Sequence, residues 1–179
     1  MYADNTLTPK EAARLCALGT LAGGPLPYGT LAEMVRHFMD RIQGPSLDVM
    51  GSSIELLKYE GLLESRAGED GQDVLAITKR GESEFKTLLA ADLRPGATDL
   101  NKLIAALKFR FMHLLDNAEQ RNQIAILSDT AELELARLTD LRTHHNGETG
   151  YFLVWLDAEI AILQDRIDWL VELQSKLAS

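Results

Sequence analysis

Between Leu7 and Lys86 the sequence carries the pattern of three helices, a two-stranded hairpin and a further short helix, in that order. Three segments contain this pattern: LTPKEAARLCALGTLAGGPLPYGTLAEMVRHF, GSSIELLKYEGLLES and DVLAITKRGESEF. The third helix leaves through Gly-Leu-Leu into a strand, and turn-forming residues join that strand to the next. This order is typical of a winged helix-turn-helix, whose third helix most often enters a DNA major groove.

Capping signals predict where the first two helices begin. Thr8 and Glu11 make a Thr-x-x-Glu capping box with Pro9 at the first helical position, and Thr30 with Glu33 repeats the box. Apolar residues recur behind both boxes at steps of three or four. We therefore expect one helix that is capped by Thr8 and a second that is capped by Thr30.

The third helix and the hairpin follow from cap and turn chemistry. Ser46 is a good N-cap and Gly61 a good C-terminal stop, so we expect the third helix between them. Leu62 to Arg66 and Val74 to Thr78 are the expected strands, and the residues between them are rich in turn formers. A helix over about residues 79–91 is expected to follow.

A proline-glycine break at residues 94–96 separates this pattern from long helical stretches. We predict a mainly α fold with a small β-hairpin. A winged helix-turn-helix domain would cover residues 1–93 and a C-terminal long-helix dimerisation domain residues 97–179. The last helix, from about Gly150, has apolar residues at alternating steps of three and four, which is a heptad seam. The seam consists of Leu153, Leu156, Ile160, Leu163, Ile167 and Leu170.

The last helix has more apolar surface than it can bury alone, because Trp155, Trp169 and Val171 lie outside the seam. We expect the seam to form a homodimer interface, since two-fold dimers are the commonest closed assembly. A helical bundle within one chain is the alternative.

Charge is the main argument against DNA binding. The formal net charge is −9 and the pI is about 4.9. Residues 1–92 carry 9 Lys/Arg and 14 Asp/Glu, a net of −5, and residues 93–179 carry 9 and 13, a net of −4. Such a chain does not bind polyanions indiscriminately, although a small basic face on an acidic body is compatible with a specific site.

Other classes of function find little support. The chain lacks Gly-rich phosphate loops, nucleophile elbows and zinc-protease motifs, so neither an enzyme activity nor a cofactor is expected. The adjacent His144 and His145 point in different directions on a helix, so no metal site is expected. Cys16 is the only cysteine and is expected to be buried. Neither a membrane span nor a signal peptide is recognisable, and we expect a cytoplasmic protein.

Across nearly the whole chain these motifs resemble the PadR family of transcriptional regulators. The segments LTPKEAARLCALGTLAGGPLPYGTLAEMV, IELLKYEGLLES and VLAITKRGESEF are similar to the family's winged helix. The C-terminal half, with Tyr151 at the start of the last helix and Trp169 near its end, is similar to the family's dimerisation region. The resemblance implies a homodimer that binds an inverted-repeat operator in double-stranded DNA, usually as a repressor. It also implies, as in some members, a small aromatic or cationic effector at the dimer interface.

The candidate DNA contacts are polar side chains on the segments that border the groove-facing side of a winged helix. Hydroxyl groups can bond phosphates or bases, and Lys and Arg can neutralise phosphates. The basic residues among them are expected to form a rim on an acidic molecule. The candidates are Tyr28, Arg36, Arg41, Ser46, Ser52, Ser53, Lys58, Arg66, Lys79 and Arg80.

A winged-helix protein-interaction module without DNA affinity is the alternative function. The local charge of the third helix and the wing discriminates between the two. The interaction module is favoured if the acidic residues Asp48, Glu55, Glu69 and Asp70 dominate that face.

Overall fold

The structure, a computed structural model, describes residues 5–44, 51–69, 71–94, 96 and 99–177, with the backbone alone for residues 51–53. Within those ranges it is mainly helical with one antiparallel hairpin, as the sequence predicts. The elements are α1 (Pro9–Ala22), α2 (Tyr28–Gln43), α3 (Gly51–Tyr59), β1 (Leu63–Ala67), β2 (Asp73–Ile77), α4 (Lys79–Leu89), α5 (Asp99–Phe111), a 3-10 turn (Met112–Leu114), α6 (Asn117–His144) and α7 (Phe152–Leu177).

The chain forms two compact units. The first unit holds α1 to α5 with both strands, and the second holds the 3-10 turn, α6 and α7. The helix α5 therefore packs with the winged-helix elements, although it follows the break at residues 94–96. The predicted division into folding domains at residues 93 and 97 stays a prediction.

The first helix begins as its capping box predicts. Thr8 Oγ1 accepts a hydrogen bond from the backbone N–H of Glu11, and Glu11 Oε2 accepts one of 2.7 Å from the backbone N–H of Thr8. Both orphan donors are satisfied within the box, which stabilises the start of α1.

The second helix begins three residues earlier than its sequence pattern predicts, at Tyr28, with no side-chain cap. The predicted capping box at Thr30 is therefore wrong. The reason is tertiary: Leu26 exchanges two backbone hydrogen bonds, of 3.0 and 2.8 Å, with Leu75 of β2. The chain is thereby fixed just before Pro27, whose carbonyl accepts the first helical bond.

The third helix is described from Gly51, so its predicted start at Ser46 lies outside the described residues. Ile54 and Leu57 are buried, as the apolar spacing predicts. Gly61 has a φ of +72°, which favours glycine and ends the helix at the predicted place.

The hairpin pairs Leu63 with Ile77 at its base and Ala67 with Asp73 at its tip, one residue away from the predicted strand limits. A Cβ at Gly81 would lie 2.2 Å from the carbonyl oxygen of Leu62, so α4 approaches the start of β1 as closely as glycine allows. The position of the wing is thus fixed by the helix that follows it.

The core of the first unit reaches from α1 to α5. Phe111 packs edge to face on Phe85, with ring centroids 5.9 Å apart, and against the backbone of Gly19. Cys16 is buried, and burial raises the pKa of its thiol to about 11. Lys108 is fully buried; its Nζ donates to the carbonyl oxygen of Leu89 at 2.6 Å, and burial lowers its pKa to about 8.

The second unit is built on the two long helices α6 and α7, which pack along each other as a hairpin. Asp116 caps α6 with Glu119 in a second complete capping box. Near the connection between the helices, Arg142 Nε donates to Asp157 Oδ1 at 2.6 Å. None of the helices within the described ranges is long and apolar enough to cross a membrane.

Candidate nucleic-acid interface

An open groove of about 220 Å³ lies between α3, the hairpin and the start of α2. The backbone bonds between Leu26 and Leu75 bring Tyr28 to its edge. The lining residues are Tyr28, Ile54, Glu55, Lys58, Ser65, Asp73, Val74 and Leu75. The third helix and the wing are the parts of a winged helix that approach DNA, so this groove is the first candidate site.

The groove and the wing are acidic where the structure describes them. The charged residues of α3 and the hairpin there are the cations Lys58 and Arg66 and the carboxylates Glu55, Glu64, Glu69 and Asp73. Arg66 is engaged locally, because its Nη2 lies 2.5 Å from Glu64 Oε1. This surface by itself does not attract phosphate.

The exposed cations on α2 and α4 differ from Arg66 in having no ion-pair partner among the described residues. Arg36 and Arg41 are exposed on α2, and Lys79 and Arg80 are the first two residues of α4. For all four, no carboxylate in the described part of the chain lies within ion-pair distance. Thr78 Oγ1 accepts a 3.0 Å bond from Gly81 N at the start of α4, and such a helix N-terminus also favours phosphate. These cations are candidates for phosphate contacts, and α2 and α4 also carry the acids Glu33, Asp40, Glu82 and Glu84.

The structure brings some of the predicted contacts together and separates others. Tyr28 and Lys58 meet in the groove. Arg36 instead lines a second, mostly apolar depression beside Arg110 of α5. Ser52 and Ser53 lie in the first turn of α3, and Ser46 lies outside the described residues.

That second depression, of about 500 Å³, lies entirely within the first unit, between α2 and the end of α5. The Arg110 guanidinium stacks over the Phe38 ring, 4.5 Å from its centroid, and donates to Cys16 Sγ at 3.6 Å. The lining of this depression also includes Glu33 and Asp40, so the depression carries charges of both signs.

Two further exposed residues of α3 are absent from the predicted contacts. Tyr59 is 90% exposed and Leu56 is 48% exposed. The sequence held a signal for Leu56, since Leu56 follows Ile54 by two positions and so lies about 200° away from it around the helix. An exposed Leu and Tyr on this helix can contact thymine methyl groups and phosphates.

An ion-pair cluster ties the end of α3 to α1 and α4. Arg14 donates to both carboxylate oxygens of Glu60, at 3.1 and 2.6 Å, and to Glu84 Oε1 at 3.4 Å. The hydrogen bonds with Arg14 lower the pKa of Glu60, and those with Glu60 raise the pKa of Arg14. The cluster fixes the end of the helix that lines the groove.

The second unit presents an apolar stripe of its own. The predicted seam lies on the α7 face that packs along α6: Leu156 and Leu170 are buried within one chain, and the other four seam residues are half-buried. Trp155, Ile162 and Trp169 remain 53%, 54% and 49% exposed. Each follows one seam residue by two positions and precedes another by one, which is about 200° and 100° around a helix, so they form a separate stripe outside the seam. We call Trp155, Ile162 and Trp169 the outer stripe.

A winged helix-turn-helix with an open groove beside its third helix, followed by long helices, is typical of DNA-binding transcriptional regulators. A family model with the description "Putative AphA-like transcriptional regulator" matches residues 2–174, and the chain belongs to this family of regulators. This confirms the predicted resemblance to PadR-type regulators. A search of curated proteins gives no match.

Solved structures of PadR-type regulators are similar to this chain. Bacillus subtilis PadR is 14% identical, with a TM-score of 0.42 over 97% of this chain and 99% of that one. A PadR-like transcriptional regulator from Bacillus cereus is 17% identical, with a TM-score of 0.39 over 93% and 98%. Bacillus subtilis PadR in complex with operator DNA is 15% identical, with a TM-score of 0.37 over 92% and 98%.

Proposed function

We propose that the protein acts in the cytoplasm as a homodimeric repressor that binds an inverted-repeat operator sequence-specifically, with α3 in the major groove and the hairpin alongside. The observation that carries the proposal is the arrangement of the first unit. An open groove beside α3 is accompanied on α2 and α4 by exposed cations that form no ion pair with a described carboxylate.

The division of charge supports specific rather than indiscriminate binding. Phosphate contacts position a protein on the duplex, whereas base contacts select the sequence. Arg41, Lys79 and Arg80 can hold phosphates, while α3 offers polar and apolar side chains to base edges. The negative net charge of α3 and the wing weakens binding to every duplex alike. The protein therefore depends on base contacts more than a basic winged helix does.

The outer stripe supports the dimer. The inner face of α7 packs along α6, yet two Trp and one Ile are half exposed on its other side. Exposed apolar stripes of this kind mark interaction surfaces. A second copy of the chain meets this stripe with its own, as a two-fold interface requires, and places two α3 helices on one operator.

A small aromatic or cationic effector fits the same surface. Aromatic faces attract flat cations, and Asp165 lies in register with the outer stripe, midway between Ile162 and Trp169. Titration with flat hydrophobic cations should quench the fluorescence of Trp155 and Trp169 in the wild type. An unchanged spectrum across such a series contradicts an effector at this surface.

The acidic face of α3 and the wing favours the second candidate function, a winged-helix module that binds proteins and not DNA. Binding of the full-length protein to the duplex upstream of its own gene distinguishes the two. Fluorescence anisotropy at several salt concentrations should show saturable binding that weakens as salt rises. Loss of the gene should raise transcription from that promoter. Absence of binding at low salt supports the interaction module instead.

A further inference from the structure

The third helix carries a carboxylate on its groove-facing side. Glu55 is exposed, lines the groove and lies one helical turn before Lys58. Ile54 and Leu57 are buried in the core and anchor α3. A carboxylate at this place repels phosphates, so either it weakens DNA binding or it acts on something other than phosphate.

Glu55 differs from the neighbouring acidic residues in its partners. Glu64 is held by Arg66, and Glu60 is held by both guanidinium nitrogens of Arg14. Among the residues that the structure describes, no cation lies within ion-pair distance of Glu55. Its two oxygens are therefore available as hydrogen-bond acceptors on the groove side of α3.

The bases differ strongly in how their major-groove edges interact with a group that can only accept hydrogen bonds. An ionised carboxylate has no donor, so it is repelled by the N7 and O6 acceptors of guanine and by the O4 acceptor of thymine. Adenine offers an amino donor beside an N7 acceptor. Cytosine offers its N4 amino group with no acceptor on its own edge, and is the base that a carboxylate prefers.

We propose that Glu55 is a specificity-determining residue that accepts a hydrogen bond from the N4 amino group of one cytosine in each half-site of the operator. Lys58, one turn further along the same side, is placed to donate to a guanine near that cytosine. This assignment rests on the proposed DNA-binding function. It adds to that function the identity of one base that the protein contacts.

Selection from a library of randomised DNA duplexes tests the assignment. The proteins are the full-length wild type, Glu55→Gln and the control Glu82→Gln. Glu82 is exposed on α4 with no ion-pair partner among the described residues, so its variant removes the same charge from the same unit. Gln prefers adenine, because its amide both donates to N7 and accepts from N6.

The wild type should select cytosine at one position of each half-site. Glu55→Gln should select adenine there, a change of at least about fivefold in relative affinity, and should leave the other positions unchanged. Glu82→Gln should select the wild-type sequence. Circular dichroism checks that all three proteins are folded.

Two negative outcomes have different meanings. If the wild type enriches no sequence, the proposed function itself fails, and the assignment with it. If the wild type enriches a motif and Glu55→Gln enriches the same motif, with affinity raised on all duplexes as in Glu82→Gln, then Glu55 is only a repulsive charge. In that case the assignment is overturned while the DNA-binding function stands.

Discussion

The helices α1 and α7 are both rich in apolar residues, but only α1 buries them within one chain. In α1, Leu15, Cys16 and Leu18 are completely buried. In α7, which is almost twice as long, the buried residues are Leu156 and Leu170, and both tryptophans remain half exposed. Because unfavourable apolar exposure grows with the area left in water, α7 gains stability from a further partner and α1 does not.

In the proposed function, this difference separates the unit that contacts DNA from the unit that forms the dimer. The first unit closes its own core and holds α3 through Arg14 and the close packing of α4 on the wing. Its site is therefore preformed in a single chain. In the proposed dimer, the second unit determines whether two such sites act together on one operator.

Charges placed on the outer stripe should disrupt the proposed dimer. The double variant Trp155→Glu with Ile162→Glu should raise the dimer dissociation constant at least about 100-fold, because burying unpaired carboxylates in an interface is costly. Sedimentation velocity measures the assembly, and anisotropy with the operator measures the loss of two-site binding.

Gln164→Glu with Ser175→Glu is the matched control, since both residues are exposed on α7 outside the outer stripe. These substitutions add the same charge and should leave the dimer intact. Equal sedimentation of the two double variants would show that the outer stripe is not the interface.

The buried Lys108 should make the stability of the first unit depend on pH. Its pKa is lowered from 10.5 to about 8 by burial. Between these values the unfolded chain holds a proton that the folded chain has lost, so the free energy of unfolding rises with pH. The rise is on the order of 3 kcal/mol from pH 8 to pH 10.5. Below pH 8 both states are protonated and the penalty of the buried ammonium is fully present.

Lys108→Met should abolish this rise, although it also loses the hydrogen bond to Leu89, which is worth about 1 kcal/mol. Urea unfolding at pH 7 and pH 10 gives the free energy of unfolding of the wild type and of the variant. The contributions of other titrating groups cancel in the difference between the two proteins. Lys102→Met, an exposed change on the same helix, is the control. A constant difference between wild type and Lys108→Met would refute the linkage.

The sequence predicted the fold better than the electrostatics of the site. The box of Thr8 and Glu11, the stop at Gly61 and the burial of Ile54 and Leu57 all follow from local patterns. The start of α2 does not, because it depends on Leu26 reaching a strand almost fifty residues later in the chain.

Some of the contacts made by charged residues could be predicted from the sequence. Glu64 and Arg66 are two apart on a strand and share a face, so their ion pair follows from strand geometry. The burial of Lys108 was also signalled, since it continues the helical spacing of Ile104 and Phe111. The placement of Arg36 beside Arg110 required the tertiary packing of α2 on α5.

The basic rim should contribute to operator affinity through its contacts with phosphates. Arg66→Ala with Arg80→Ala should weaken operator binding about tenfold at low salt. The salt dependence of the logarithm of affinity should flatten by about 0.9 for each phosphate that the variant no longer neutralises. Arg137→Ala is the control for the local pair, because Arg137 is bound to Glu134 on α6 as Arg66 is bound to Glu64. An unchanged slope in the double variant would remove Arg66 and Arg80 from the interface.

The smallest expected effect concerns the cluster that holds the end of α3. The pKa of Glu60 is lowered by its hydrogen bonds with Arg14, so its contribution is present above pH 4.5 and is lost as pH falls through the folded pKa. Because the pair is partly solvated, Glu60→Gln should lower the free energy of unfolding by at most about 1 kcal/mol at pH 7 and by less at pH 3. Glu69→Gln, which removes an exposed acid of the hairpin turn that has no ion-pair partner among the described residues, should change neither value. Thermal unfolding at the two pH values measures this. A loss for Glu60→Gln that is equal at both would mean that packing, and not the ion pair, fixes the end of α3.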